Sequence, residues 1–204
     1  GDEEIDLLLR GEAEIIRADA LLLAGKEKEA AEHAWNAWYL NPRGRRSSYL
    51  VEKAAEKDLL HLTRFAKTAS FIFPEQEYWR RMLSRLTQTK KINEKSRDLT
   101  GEFKRLKEAE EKTPTEEKAQ FWFSVFPYTP EYLCLQLVQG SERSLREDAL
   151  RFYLKYAVTM RDLSEFQAAH VRVFFLQLVG LLPSAEREEW VKELDGAWEG
   201  FFLE

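Results

Sequence analysis

The segment GKEKEAAEHAWNAWYLNP, residues 25–42, decides the fold. Gly25 ends a preceding run of apolar periodicity, because glycine enters the left-handed backbone region at little cost. Ala30, Ala34 and Ala37 then share one helical stripe, with Leu40 near its end. Asn41-Pro42 terminates the helix, since proline restricts the residue before it and cannot continue the hydrogen-bond ladder. Upstream, Ile15, Ala18, Leu21 and Leu22 recur at helical spacing. The prediction is two antiparallel helices, 12–24 and 27–40, whose facing alanines let the axes approach closely.

The pattern returns in fainter form 32 residues on, where Ala34, Ala37, Leu40 and Pro42 become Ala66, Ala69, Ile72 and Pro74. The turn glycine becomes Lys57, and Ala30 becomes Leu62. Residues 44–74 therefore read as a diverged second unit, and Glu75–Leu86 as the first helix of a third. A two-helix unit cannot bury its apolar face alone, so about three or more units are expected.

These positions resemble the tetratricopeptide repeat, a helical hairpin with a period of about 34 residues. Gly25, Ala30, Ala37, Leu40 and Pro42 stand where that family has its turn glycine, two signature alanines, a late apolar residue and a closing proline. Ala18 stands where the family has glycine, and Glu14 where it has tryptophan. The resemblance implies an all-α fold: antiparallel hairpins forming a solenoid in the N-terminal half, packed with a C-terminal helical region. It also implies a non-catalytic protein–protein interaction module. Its groove would be lined by Ile15, Asp19 and Leu22, then Val51 and Ala54, then Trp79, Leu83 and Leu86. This set is mostly apolar and lacks the Lys/Asn/Arg clamp some subfamilies use for a terminal carboxylate. An apolar or helical segment of a protein partner is the expected ligand. The alternative is that these residues pack against the chain's own C-terminal helices.

The chain's 204 residues suffice for one large or two small domains with a real core. Hydrophobic content of 44% with 33% charged residues suits amphipathic helices rather than disorder. The net charge of −5 argues mildly against general nucleic-acid binding. The single cysteine, Cys134, excludes an intrachain disulfide, and its setting in YLCLQLV suits a buried small hydrophobe. No apolar run approaches membrane-span length. The chain begins with Gly1 rather than Met, and the expectation is a trimmed N-terminus on an exported, periplasmic or lipid-anchored protein. A cytoplasmic protein is the alternative.

In order, the sequence predicts a short helix over 3–10, the hairpin 12–40, and an NPRGRR turn at 41–46. A helix capped by Ser47 or Ser48 comes next and runs to about Ala69, with a break near Lys57-Asp58. Pro74 opens another, carrying Trp79, Met82, Leu83 and Leu86 on one face. Residues 90–112 are polar, with only a thin stripe of Ile92, Leu99, Phe103 and Leu106, and predict a long exposed helix interrupted at Gly101. Thr113-Pro114-Thr115-Glu116 reads as a capped helix start and sets the expected boundary between regions 1–112 and 113–204. Further helices begin at Thr129, Ser144, Ser164 and Ser184, and no alternating strand pattern appears.

Chemistry is scarce. His33, His61 and His170 are far apart in sequence, and neither HExxH nor a Glu-x-x-His pair occurs, so no metal site is expected. No nucleophile elbow, P-loop or dinucleotide fingerprint is present, so no cofactor and no catalysis are expected. Paired carboxylates such as Glu110-Glu111 and Glu188-Glu189 read as solvated helix faces. Residues 80–107 hold ten Lys and Arg against three acids, among them Arg80, Arg81, Arg85, Lys90 and Lys91. This basic patch supports the alternative function, binding nucleic acid or an anionic surface. An exposed helix face is its plainer explanation, and nucleic acid is the less expected partner.

Overall fold

Gly25 adopts φ 76° and turns the chain between two antiparallel helices. In the computed structural model these are α1 (Asp2–Leu23) and α2 (Glu27–Leu40). The Gly25 and Lys26 amides donate to the carbonyls of Leu22 and Leu21 at 3.1 and 2.9 Å, which satisfies the last turn of α1. The structure describes residues 2–40, 45–54, 59–88, 98–124, 129–163 and 165–200. Among them every regular element is helical. No helix there is long and apolar enough to cross a membrane.

The described residues form two compact units, one within 2–88 and one within 98–200. In the first, α3 (Arg45–Ala54), α4 (Leu59–Ile72) and α5 (Glu77–Gln88) come after the hairpin. The 32-residue shift is visible in the helix bounds. α2 spans 27–40 and α4 spans 59–72, while α3 and α5 begin at 45 and 77. Ala18, Ala30, Ala34 and Ala37 are fully buried, as are the counterparts Ala66 and Ala69. The space between the alanine stripes is filled by aromatic edges. Trp38 meets Phe65, Phe73 and Trp79 at ring-centroid distances of 5.4, 5.2 and 5.9 Å, and Phe65 meets Trp79 at 4.5 Å. Such edge-to-face pairs contribute about 0.5–1.5 kcal/mol each beyond area burial.

Three local expectations for this unit are corrected. α1 is one helix rather than two over 3–10 and 12–24. Gly11 does not interrupt it. It is buried on the face of α1 that meets α2, where a Cβ would stand in ordinary van der Waals contact, 3.5 Å from Leu40 Cβ. Ser47 and Ser48 are buried inside the first turns of α3 rather than capping it. Pro74 lies in the turn before α5, not within its first turn. Residues 41–44 and the Lys57-Asp58 break lie outside the described residues.

The second unit contains α6 (Leu99–Lys112), a 3-10 turn at Thr115–Glu117, α7 (Lys118–Ser124), α8 (Thr129–Gly140), α9 (Arg143–Arg161), α10 (Glu165–Gly180) and α11 (Ser184–Trp198). α8, α9, α10 and α11 each pack on the next, and α6 packs on α8. Leu150, Tyr153, Phe174, Phe175, Leu178 and Leu194 form its fully buried centre. The sequence divides the chain at 112/113, whereas the contacts group α6 with the helices C-terminal to it. α6 is anchored rather than broadly exposed, because Phe103 is buried against Phe152 at 5.1 Å. Gly101 does not interrupt it either. Asp98 caps the helix by accepting from the Gly101 amide at 2.9 Å. Thr113 closes α6 instead of starting a helix, and its hydroxyl donates back to Ala109 O at 2.8 Å. Pro114 then opens the 3-10 turn with no side-chain cap.

Candidate functional site

The residues expected to line an N-terminal groove are mostly core. Trp79 is 0% exposed, packed on Trp38 and Phe65, and Ile15, Val51 and Leu86 are also buried. Leu22 and Leu83 are half-buried, and Asp19 accepts from Arg46 at 2.6 Å. The side chain of Ala54 lies outside the described residues. The structure thus brings this set into the packing between helices, where apolar surface gains more from a neighbouring helix than from water. These residues do not form an open apolar groove.

On α5, Arg80, Arg81 and Arg85 are exposed and line a shallow depression of about 510 Å³ with Glu77, Ser84 and Gln88. Arg81 donates to Glu77 at 2.6 Å, so part of this charge is compensated on its own helix. Lys90 and Lys91 lie outside the described residues.

A larger concavity lies in the second unit. α9 and α11 both pack against α10, and a groove of about 1260 Å³ runs between them, with α6 and α7 contributing Glu110, Glu111 and Lys118. Ion pairs bridge the two helices at the start of the groove, where Arg146 meets Glu186 at 3.3 Å and Arg143 meets it at 3.9 Å. At the far end Arg161 donates to the carbonyl of Ala197 and lies over the Trp198 ring. Leu154, Val158, Trp190 and Ala197 supply apolar lining between these bridges. Arg151 stands over Trp190, 6.0 Å from the ring centroid, and also reaches Glu147 at 3.8 Å. Lys118 and Glu110 are paired at 2.5 Å. Glu111, Glu189 and Glu193 have no ionic partner among the described residues, against Lys155 as the unpaired cation. The groove therefore presents an apolar strip with a surplus of free carboxylate.

This groove escaped the sequence because its walls are charged helix faces, which read as solvated surface. The signal that could have found it was the set of half-buried apolar residues embedded in those faces: Leu154 and Val158 one turn apart, and Trp190 among glutamates. Its lining contains no His, Cys or Ser among the described residues.

A second cluster is buried beneath. Glu131 on α8 is 1% exposed, and its Oε1 accepts from Tyr156 at 3.0 Å and Tyr153 at 3.5 Å. His170 Nε2 lies 3.4 Å from the same oxygen. Burial raises the Tyr156 phenol well above its ordinary pKa, with the Glu131 charge and hydrogen bond adding to it. Cys134 is fully buried, and burial followed by Glu131 raises its thiol pKa, which suits the inert cysteine expected. This cluster is enclosed, and it ties three helices together. His33 lies elsewhere, 2.5 Å from Glu14, and the side chain of His61 is outside the described residues. No three potential ligands converge to hold a metal among the described residues.

Compared with known family models, with curated proteins and with solved structures, the chain has no significant match.

Proposed function

We propose that this chain is a non-catalytic protein-interaction module that receives an amphipathic helical segment of a partner protein in the α9–α11 groove. The groove's composition carries the reading: an apolar strip of Leu154, Val158, Trp190 and Ala197 walled by two helices. The carboxylates of Glu111, Glu189 and Glu193 outnumber the free cation Lys155, so the complementary segment carries Lys or Arg beside its apolar stripe. α11 has 15 residues and is about 22 Å long at ~1.5 Å per residue, a span matching about four turns of a docked helix. Most titratable groups in the lining are committed to ion pairs, which favours binding over catalysis.

The N-terminal unit fits the scaffold of such a module. We read it as a diverged tetratricopeptide-like solenoid, on the 32-residue recurrence of its helices, the Gly25 turn and the buried alanine stripes.

The test uses two designed peptides with one leucine stripe, flanked by lysine in one and glutamate in the other. Fluorescence anisotropy with the full chain should give binding of the lysine peptide at least about tenfold tighter than the glutamate peptide. Val158→Arg should remove binding while the circular dichroism spectrum is kept. Equal binding of both peptides, or full binding by Val158→Arg, would overturn the proposal.

The exposed Arg80, Arg81 and Arg85 support a second reading, an anionic surface or nucleic acid bound at α5. Retention of a single-stranded oligonucleotide that falls steeply with salt, and is lost with Arg80→Glu, would favour it over the groove.

A further inference from the structure

α1 carries two apolar faces. One holds Gly11, Ile15 and Ala18, all buried against the rest of the unit. The other holds Leu9, Ala13, Ile16, Ala20 and Leu23, and all five are exposed. Leu9, Ile16 and Leu23 are 64%, 63% and 91% exposed, against near-complete burial of residues of the same kind in the core. The spacing along this face alternates four and three residues, the seam of a coiled coil. Leu9, Ile16 and Leu23 occupy the d positions, and Ala13 and Ala20 the a positions. Small residues at a let two helices approach closely, so that the larger d residues interdigitate. A solitary exposed leucine needs no explanation, but a continuous heptad stripe on an ordered helix does.

The flanking charges identify what covers it. Glu12 and Asp19 lie along one side of the seam, at g, and Arg10 and Arg17 along the other, at e. When two identical helices pair in parallel, each g position faces the e position five residues further along its partner. Glu12 then meets Arg17 of the second copy, and by symmetry the pair forms twice. In the antiparallel arrangement g faces g and e faces e, which sets carboxylate against carboxylate and guanidinium against guanidinium. Glu12 has no ionic partner within the chain among the described residues. Arg17 reaches Glu14 at 3.1 Å, but that pair is solvent-exposed and local, so it exchanges at little cost.

We infer that this face of α1 is a self-association surface, on which a second copy of the chain docks its own α1 in parallel. The seam from Leu9 to Leu23 covers about 21 Å at ~1.5 Å per residue, two heptads. That is short for isolated peptides, but here each helix is already ordered by its own unit. The ordering entropy that defeats short coiled coils is thus largely spent before the copies meet. The result is a reversible dimer with a C2 axis along the seam.

Sedimentation velocity on the full chain, over a concentration series, tests this. The weight-average mass should rise towards the dimer with concentration. Ile16→Glu, at an exposed position that leaves the fold intact, should weaken the dimer at least about tenfold. Glu12→Arg and Arg17→Glu should each weaken it about tenfold by opposing like charges, and an equimolar mixture of these two variants should recover it. A parent chain that stays monomeric throughout overturns the inference, as does a dimer indifferent to Ile16→Glu. Tightening by Glu12→Arg would also overturn it, because that outcome belongs to the antiparallel pairing.

Discussion

The two units solve the burial of polar groups in different ways. In residues 2–88 two buried hydroxyls bond within their own helix: Thr63 donates to Leu59 O at 2.7 Å and Thr68 to Arg64 O at 3.1 Å. In its core the helices meet through alanine stripes and aromatic edges, which carry no directional bond, while the bonds that cross between helices, from Arg46 to Asp19, between His33 and Glu14 and from Tyr78 to Glu52, lie at or near the surface. In residues 98–200 a buried carboxylate is held by groups 22, 25 and 39 residues away, so one oxygen ties α8, α9 and α10 into a single register. Apolar stripes tolerate small shifts between neighbours, while a hydrogen-bonded buried acid does not, because an unsatisfied charge in a low-dielectric interior is costly. The first unit therefore depends on the volume of a few large side chains, and the second on one polar centre.

Substitutions in each unit put this contrast at risk. The largest effect is expected for Trp79→Ala, which empties the centre of the aromatic cluster and should cost about 4 kcal/mol. Hydrogen exchange should rise across residues 2–88, with residues 98–200 as the internal reference. Retained protection in the first unit would show that the cluster is not its keystone.

Glu131→Ala should rank second at about 3 kcal/mol, since it removes the one buried oxygen that Tyr156, Tyr153 and His170 approach together. Glu131→Gln keeps an acceptor for the phenols and should cost about half as much by chemical denaturation. A Gln variant as unstable as the Ala variant would mean that charge rather than hydrogen bonding holds the centre.

Tyr156→Phe is expected to be mildest at neutral pH, about 1 kcal/mol. Its pH dependence is diagnostic. The folded phenol holds its proton above the ordinary value through burial first and Glu131 second, whereas the unfolded phenol releases it near pH ~10. Above that pH the unfolded state binds fewer protons, so the parent loses stability as pH rises. The Phe variant lacks this contribution, and its deficit should shrink on titration above pH ~10. An unchanged deficit would place Tyr156 outside the buried centre.

Periodic positions are readable from the chain alone. Gly25, the stripe Ala30, Ala34, Ala37 and its echo at Ala66 and Ala69 mark the helices and their 32-residue recurrence, because helix geometry is a local consequence of spacing. Punctuation is less legible. Gly11, Gly101, Ser47 and Thr113 all carry turn or cap propensity, yet α1 runs unbroken through Gly11, Asp98 caps α6 on the Gly101 amide, and Thr113 closes a helix instead of opening one. The candidate sites are least legible of all. Trp79 and Val51 show the same apolar character whether they face a partner or a neighbouring helix, and only the packing decides between them.

The sequence by itself determines the helical nature of the chain and which stripe of each helix carries its apolar side chains, since both arise from spacing within a few residues. Tertiary structure alone decided the rest. It buried the expected groove, opened another between the charged walls of α9 and α11, and gathered Glu131, Tyr153, Tyr156 and His170 around one oxygen. Those arrangements depend on which distant helices meet and at what register, and periodicity within a single helix carries no record of that.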